Sequence, residues 1–88
     1  MTYIIIIPKS VTKQIDILPT KVADEILDKI GYLKHNPRPI NAKKMKGSKG
    51  YRLRVGNYRV IYDIDDVGKR IFLRRVGHRS NIYKHNGT

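Results

Sequence analysis

Arginine alternates along Tyr51-Arg52-Leu53-Arg54-Val55 and returns at Arg59, just across a Gly56-Asn57 step. A guanidinium is charged at any physiological pH and can hold two oxygens of one phosphate at once. Several of them close together are suited to gripping an anionic ligand. Upstream, Lys43, Lys44, Lys46 and Lys49 form a loop of point charges that would attract a phosphate backbone. Two plainer readings stand beside these. A lysine loop also serves solubility alone, and an arginine on the outer face of a sheet needs no ligand, especially if Asp63 or Asp65 neutralises it.

The elements that would position these side chains are legible in the hydrophobic pattern. Gly56-Asn57, with glycine first, is the signal of a type II′ hairpin turn between two alternating strands. That turn fixes the register. Val55 faces Tyr58, Leu53 faces Val60 and Tyr51 faces Tyr62, all on one apolar face. The other face carries Arg54 opposite Arg59 and Arg52 opposite Ile61. Like charges directly opposite are unfavourable in a sheet, which makes sense if something anionic binds there.

The remaining segments supply a support. Tyr3–Ile7 reads as a strand buried on both faces and ended by Pro8. Val11, Ile15 and Leu18 fall at helical spacing within Lys9–Leu18. Val22, Ile26, Ile30 and Leu33, with Leu27 widening the stripe, predict a second helix over Lys21–Asn36. Arg38–Gly50 reads as a loop, Tyr58–Ile64 and Arg70–Val76 as strands, and Gly77–Lys84 as a tail. The expected fold is α+β, in the order β-α-α-β-β-β. A two-helix hairpin packs on one face of a four-stranded, mainly antiparallel sheet, in a single domain spanning 1–88.

Charge and composition exclude several classes. Nineteen Lys and Arg against seven Asp and Glu give +12 over 88 residues, and nearly all of the excess lies after Pro37. An acidic ligand for that half follows. There is no cysteine, hence no disulfide, thiolate metal site or cysteine nucleophile. The three histidines and seven acids form no recognised metal-binding spacing, so neither a metal nor another cofactor is expected. Ile4–Ile7 is far too short to span a membrane, and no secretory leader pattern follows Met1. The reading expects a cytoplasmic protein without a membrane partner.

The run Met45-Lys46-Gly47, then Tyr51-Arg52-Leu53-Arg54, Asn57-Tyr58-Arg59-Val60-Ile61-Tyr62, Val76-Gly77-His78-Arg79 and Ile82-Tyr83 resembles the RelE toxins of the RelE/ParE superfamily. The resemblance covers essentially the whole chain. It implies the toxin of a type II toxin–antitoxin system, a messenger-RNA endoribonuclease acting in the ribosomal A site. Carried over by position, the family's basic pair on the second strand falls on Arg52 and Arg54, and its third-strand arginine on Arg59. Its later arginine falls on Arg79 and its C-terminal tyrosine on Tyr83. The implied partners are a cognate antitoxin with an acidic covering segment, the ribosome and mRNA. A ParE-like toxin that inhibits DNA gyrase without RNA chemistry is the rival.

Cleavage of RNA without a metal uses the ribose 2′-OH as nucleophile and needs a proton acceptor, phosphorane stabilisation and a proton donor. Arg54, Arg59 and Arg79 suit the second task. Arg52 and Arg54 stand where family members often carry lysines, and arginine is a poor base. His78 is the natural substitute, since imidazole ordinarily titrates near about 6.5. Tyr83 can orient the nucleophile, stack on a base or transfer a proton. The rival task for His78 is to end a strand, hydrogen-bonded to backbone. The sequence places Arg59 and Arg79 toward solvent.

Overall fold

A computed structural model describes residues 2–47 and 50–86, the last four as backbone only. The chain runs β1 (Ile4–Ile6), α1 (Lys9–Asp16), α2 (Thr20–Tyr32), β2 (Ala42–Lys44), β3 (Tyr51–Val55), β4 (Tyr58–Asp65), β5 (Arg70–His78) and α3 (Arg79–Asn86). The strands make one five-stranded sheet in the order β1-β5-β4-β3-β2, with β1 parallel to β5 and every other pair antiparallel.

The α+β class and the order of the main elements are as expected. Two additions change the count. The lysine loop contains β2, which extends the sheet by pairing Ala42, Lys43 and Lys44 with Leu53, Arg52 and Tyr51. The C-terminal tail is the helix α3, and β5 continues two residues beyond Val76 before it. Neither segment carries a strong apolar period, so only pairing and packing reveal them.

Pro8 and Pro19 sit in extended conformation immediately before α1 and α2. Their fixed φ and missing N–H do no harm there, and their carbonyls accept the first helical bonds, from Thr12 and Ala23. α2 ends at Tyr32, short of Asn36. Leu33, Lys34 and His35 instead donate to carbonyls three residues back, the tighter winding common at helix ends.

Val11, Ile15, Ile26, Ile30 and Leu33 from the helical region meet Leu53, Val55, Val60, Tyr62, Ile71, Leu73 and Val76 of the sheet. The spacing of four and three therefore did mark the buried stripe. Leu27 does not widen it; one step of about 100° beyond Ile26 turns it to solvent, 45% exposed. β1 is not buried on both faces either. It is an edge strand, and Ile4 is 65% exposed on the side that α1 and α2 leave uncovered.

The Gly56-Asn57 hairpin has the expected register at all five pairs, from Val55↔Tyr58 to Tyr51↔Tyr62. Gly56 lies at φ +59 while Asn57 stays at negative φ, the pattern of a type II′ turn. Further along, a bulge sets Arg74 and Arg75 against Ile61, so that Leu73 and Val76 both reach the core. Beyond Phe72, β1 no longer covers β5. There Gln14 of α1 accepts the Val76 N–H at 2.8 Å.

Candidate active site

The hairpin register and the β2 pairing together put Lys43, Arg52, Arg54 and Arg59 on the sheet face opposite the α1–α2 core. Lys43 stands directly across from Arg52, and Arg54 directly across from Arg59. A groove of about 150 Å³ runs between Ile40, Asn41, Lys43, Arg52 and Arg54. Asn41 holds its wall in place. Its side-chain amide donates to the Arg54 carbonyl at 3.0 Å, and its own carbonyl accepts the Arg54 N–H at 3.3 Å. Arg54 itself is exposed.

The lysine cluster does not act as one unit. Lys43 joins the arginine face, Lys44 points to the opposite face with Tyr51, and Lys46 lies exposed beyond the strand. Lys49 lies outside the described residues.

Arg59 departs from expectation. It is only 8% exposed, not solvent-facing. Its Nη1 donates to the carbonyls of Gly56 at 3.0 Å and Tyr58 at 2.9 Å. A charged donor bonded to two carbonyls is fixed in place, so Arg59 serves the turn as well as any ligand. The reason is tertiary. α3 packs on this end of the sheet, where Ile82 is buried, and a Cβ at Gly77, the partner of Arg59, would lie 3.4 Å from Ile82.

Arg79 is exposed, as expected, at the first position of α3, and its N–H donates to the Asn57 carbonyl at 2.9 Å. The hairpin turn, Arg59 and the start of α3 are thus bonded into one corner. Tyr83 falls on α3, and its side chain lies outside the described residues.

His78 is not brought to the arginine face. It pairs with Tyr58, next to the core pair Val60↔Val76, so its ring lies on the α1–α2 side. The two rings meet edge to face at 5.4 Å. Its Nδ1 accepts the Ser80 N–H at 3.2 Å and lies 2.9 Å from the Ser80 hydroxyl. A cavity of about 360 Å³ borders it, lined also by Gln14, Arg75 and Asn81.

The acids of the sheet lie at its other end. Asp63 pairs with Arg74, Asp65 with Arg70, and Asp66 with Arg38. Among the described residues no carboxylate forms an ion pair with Arg54, Arg59 or Arg79. Asp63 and Asp65 are thus engaged by Arg74 and Arg70 and form no ion pair with Arg54, Arg59 or Arg79.

The Asp66 network is the main feature that sequence reasoning missed. Arg38 grips both oxygens of Asp66 and donates to the Tyr51 hydroxyl at 3.0 Å, while the Tyr3 hydroxyl donates to Asp66 at 2.7 Å. The hydrogen bonds from Arg38 and then Tyr3 hold the Asp66 carboxyl down at about 2, and the bonds to Asp66 and then Tyr51 raise Arg38 further above its ordinary range. Asp65 is lowered by the Gly68 N–H and by Arg70. Burial pushes the Tyr62 phenol up; its hydroxyl donates to the Pro37 carbonyl at 2.7 Å. Arg38 and Asp66 are distant in sequence, and nothing in the residue pattern couples them.

The pattern described by "ParE toxin of type II toxin-antitoxin system, parDE" matches residues 5–83. A Methanocaldococcus jannaschii relative named RelE1 is 33% identical over 88 residues, covering 96% of this chain and 98% of its own. The chain is a RelE-type toxin of the RelE/ParE superfamily. The fold agrees. The archaeal RelE–RelB complex from Pyrococcus horikoshii OT3 contains a chain that superimposes with a TM-score of 0.80 at 32% identity, covering 90% of this toxin and 97% of that chain. A chain of the RelB–RelE antitoxin–toxin complex from Methanococcus jannaschii gives 0.72 at 32% identity, covering 91% of this toxin and 96% of that chain. Among the described residues of this RelE-type toxin, no helix is long and apolar enough to cross a membrane.

Proposed function

We propose that this toxin is a metal-independent endoribonuclease that cleaves mRNA in the ribosomal A site. The observation that carries the reading is the Arg54–Arg59 pair, set directly opposite each other on a sheet face where no described carboxylate pairs with either. Two like charges held that way repel each other unless an anion lies between or over them. A scissile phosphodiester is such an anion.

In the reaction, the ribose 2′-oxygen forms a bond to the adjacent phosphorus as the P–O5′ bond breaks. The 2′-OH loses its proton, the 5′-oxygen gains one, and the products are a 2′,3′-cyclic phosphate and a 5′-OH. Arg54 and Arg79, both exposed, bind the phosphate oxygens, and Arg52 extends the grip along the strand. Arg59, held by the turn carbonyls, offers a preorganised charge to the phosphorane. Tyr83 is the group assigned to proton exchange. His78, expected as the base from the sequence, has its Nδ1 engaged by Ser80 and its ring on the other side of the sheet.

Lys43, Lys44 and Lys46 contact ribosomal phosphates in this reading, and the site of action is the cytoplasm. The partner that restrains the toxin is a cognate antitoxin, as RelB is found with the two archaeal RelE chains. Its covering segment carries acidic residues against the arginine face.

A second reading has one specific support, the match to the ParE toxin description. A ParE-like toxin would inhibit DNA gyrase and leave RNA intact. Purified toxin added to translating ribosomes, followed by 5′-end mapping of the mRNA, separates the two. Codon-phased cuts support the endoribonuclease. Intact transcripts together with loss of gyrase supercoiling would replace it with the ParE reading.

A further inference from the structure

We propose that His78 is a positioning residue: its Nδ1 caps the first turn of α3, and so fixes Arg79 against the arginine face only while the imidazole is neutral. The inference deepens the endoribonuclease reading and rests on it for its activity readout alone.

The first N–H groups of a helix have no partner inside the helix. In α3 the Arg79 N–H donates to the Asn57 carbonyl at 2.9 Å, and the next N–H, of Ser80, donates to His78 Nδ1 at 3.2 Å. An amide N–H can only donate, so Nδ1 must be the acceptor. In the neutral ring the proton then resides on Nε2. This is the geometry of an N-cap, with a ring nitrogen in place of the usual side-chain oxygen. It also explains why His78 is ill-suited to act as a base: the nitrogen that could accept a proton is already accepting one from Ser80.

Protonation of Nδ1 turns that acceptor into a donor. The bond to the Ser80 N–H is lost, and a cation is placed at the positive end of the helix. Among the described residues the Ser80 hydroxyl, 2.9 Å from Nδ1, can accept from the protonated ring, but it does not restore an acceptor for the Ser80 N–H. α1 brings Gln14, Ile17 and Leu18 to the cavity beside the ring, β4 brings Tyr58, β5 brings Arg75, and α3 brings Asn81. Arg79 follows in the chain. Tyr58 and Arg75 are thus the titratable or charged groups lining the cavity with His78, and no carboxylate lines it. α3 has few other anchors among the described residues, chiefly Ile82 beside Gly77 and the Asn57 bond to Arg79. The cap therefore belongs to the ring with Nδ1 unprotonated.

The test compares the full-length toxin with His78→Ala and His78→Asn, reading Ser80 amide exchange by NMR and mRNA cleavage with ribosomes from pH 5.5 to 8.5, roughly spanning imidazole titration. Asparagine is a good N-cap, does not titrate and cannot act as a base. His78→Ala should speed Ser80 exchange about fivefold and slow cleavage by a similar factor. His78→Asn should recover both, and should abolish the loss of Ser80 protection at acid pH. Unchanged Ser80 exchange in His78→Ala would overturn the proposal. So would a His78→Asn toxin that protects Ser80 yet cleaves no better than His78→Ala, since the ring itself would then be doing chemistry. Should the wild-type toxin cut no RNA at all, the endoribonuclease reading fails by itself, and the pH dependence of Ser80 exchange still decides the capping.

Discussion

Two ends of one sheet use the same side chain in opposite ways. At the β4–β5 turn, Arg38, Arg70 and Arg74 each meet an aspartate, at Asp66, Asp65 and Asp63. At the Gly56-Asn57 turn, Arg54, Arg59 and Arg79 have no carboxylate partner among the described residues. The first end is electrostatically closed and ties the chain together: Arg38, Asp66, Tyr3 and Tyr51 join four separate segments. The second end is held by backbone carbonyls, and in the proposed function its positive charge serves an anionic ligand. A count of arginines cannot distinguish the two. Their carboxylate partners do.

Substitutions should break this contrast unequally. The largest effect is expected from Arg54→Ala. Cleavage should fall by about 10²–10³-fold, the usual cost of losing one donor to a transition-state oxyanion, with Tm unchanged. The slope of log affinity for single-stranded RNA against log salt should also flatten by about 0.7. Near-normal cleavage by Arg54→Ala would remove the functional side of the contrast.

Arg59→Ala should lose both cleavage and stability. Its guanidinium is buried on the Gly56 and Tyr58 carbonyls, and removing such a bonded group costs about 1–3 kcal/mol, readable by urea unfolding. If stability held, the turn would not depend on Arg59 as the geometry implies.

Arg70→Ala should leave cleavage within about twofold and stability within about 0.5 kcal/mol, because exposed ion pairs contribute little. A large loss of cleavage there would show that the two ends are coupled. The smallest effect is expected from acid. The folded-state value of Asp66 is depressed, so its contribution is complete above the ordinary carboxylate range and is lost as pH falls toward about 2. Asp66→Asn should therefore lower Tm slightly at neutral pH, with the difference from the wild type vanishing toward pH 2, so that the acid limb of the Tm-against-pH curve is flatter. An unaltered acid limb would mean that the Arg38 bridge does not persist in solution.

Much of the fold was readable because its signals are local. The Gly56-Asn57 step set the hairpin register, and the period-two alternation of β3 and β4 sorted Leu53, Val60 and Tyr62 from Arg52, Arg54 and Arg59. The 3.6-residue stripe from Ile26 to Leu33 marked the buried face of α2 and of the turn after it. β2 and α3 escaped because neither has an amphipathic pattern of its own. A three-residue edge strand exists through its partner, and α3 is ordered by what lies beneath Ile82 and by what bonds its first amides.

The candidate site divides along the same line. The sequence by itself determined that Arg54 and Arg59 stand opposite each other, since strand alternation and a two-residue turn leave no other pairing. It also concentrated the positive charge in the C-terminal half. Only the tertiary structure decided which arginines keep that charge available, that Arg59 is buried, and that His78 faces away from the others. Those outcomes depend on carboxylates and helix ends brought close by folding, and distances of that kind are not encoded in any run of neighbouring residues.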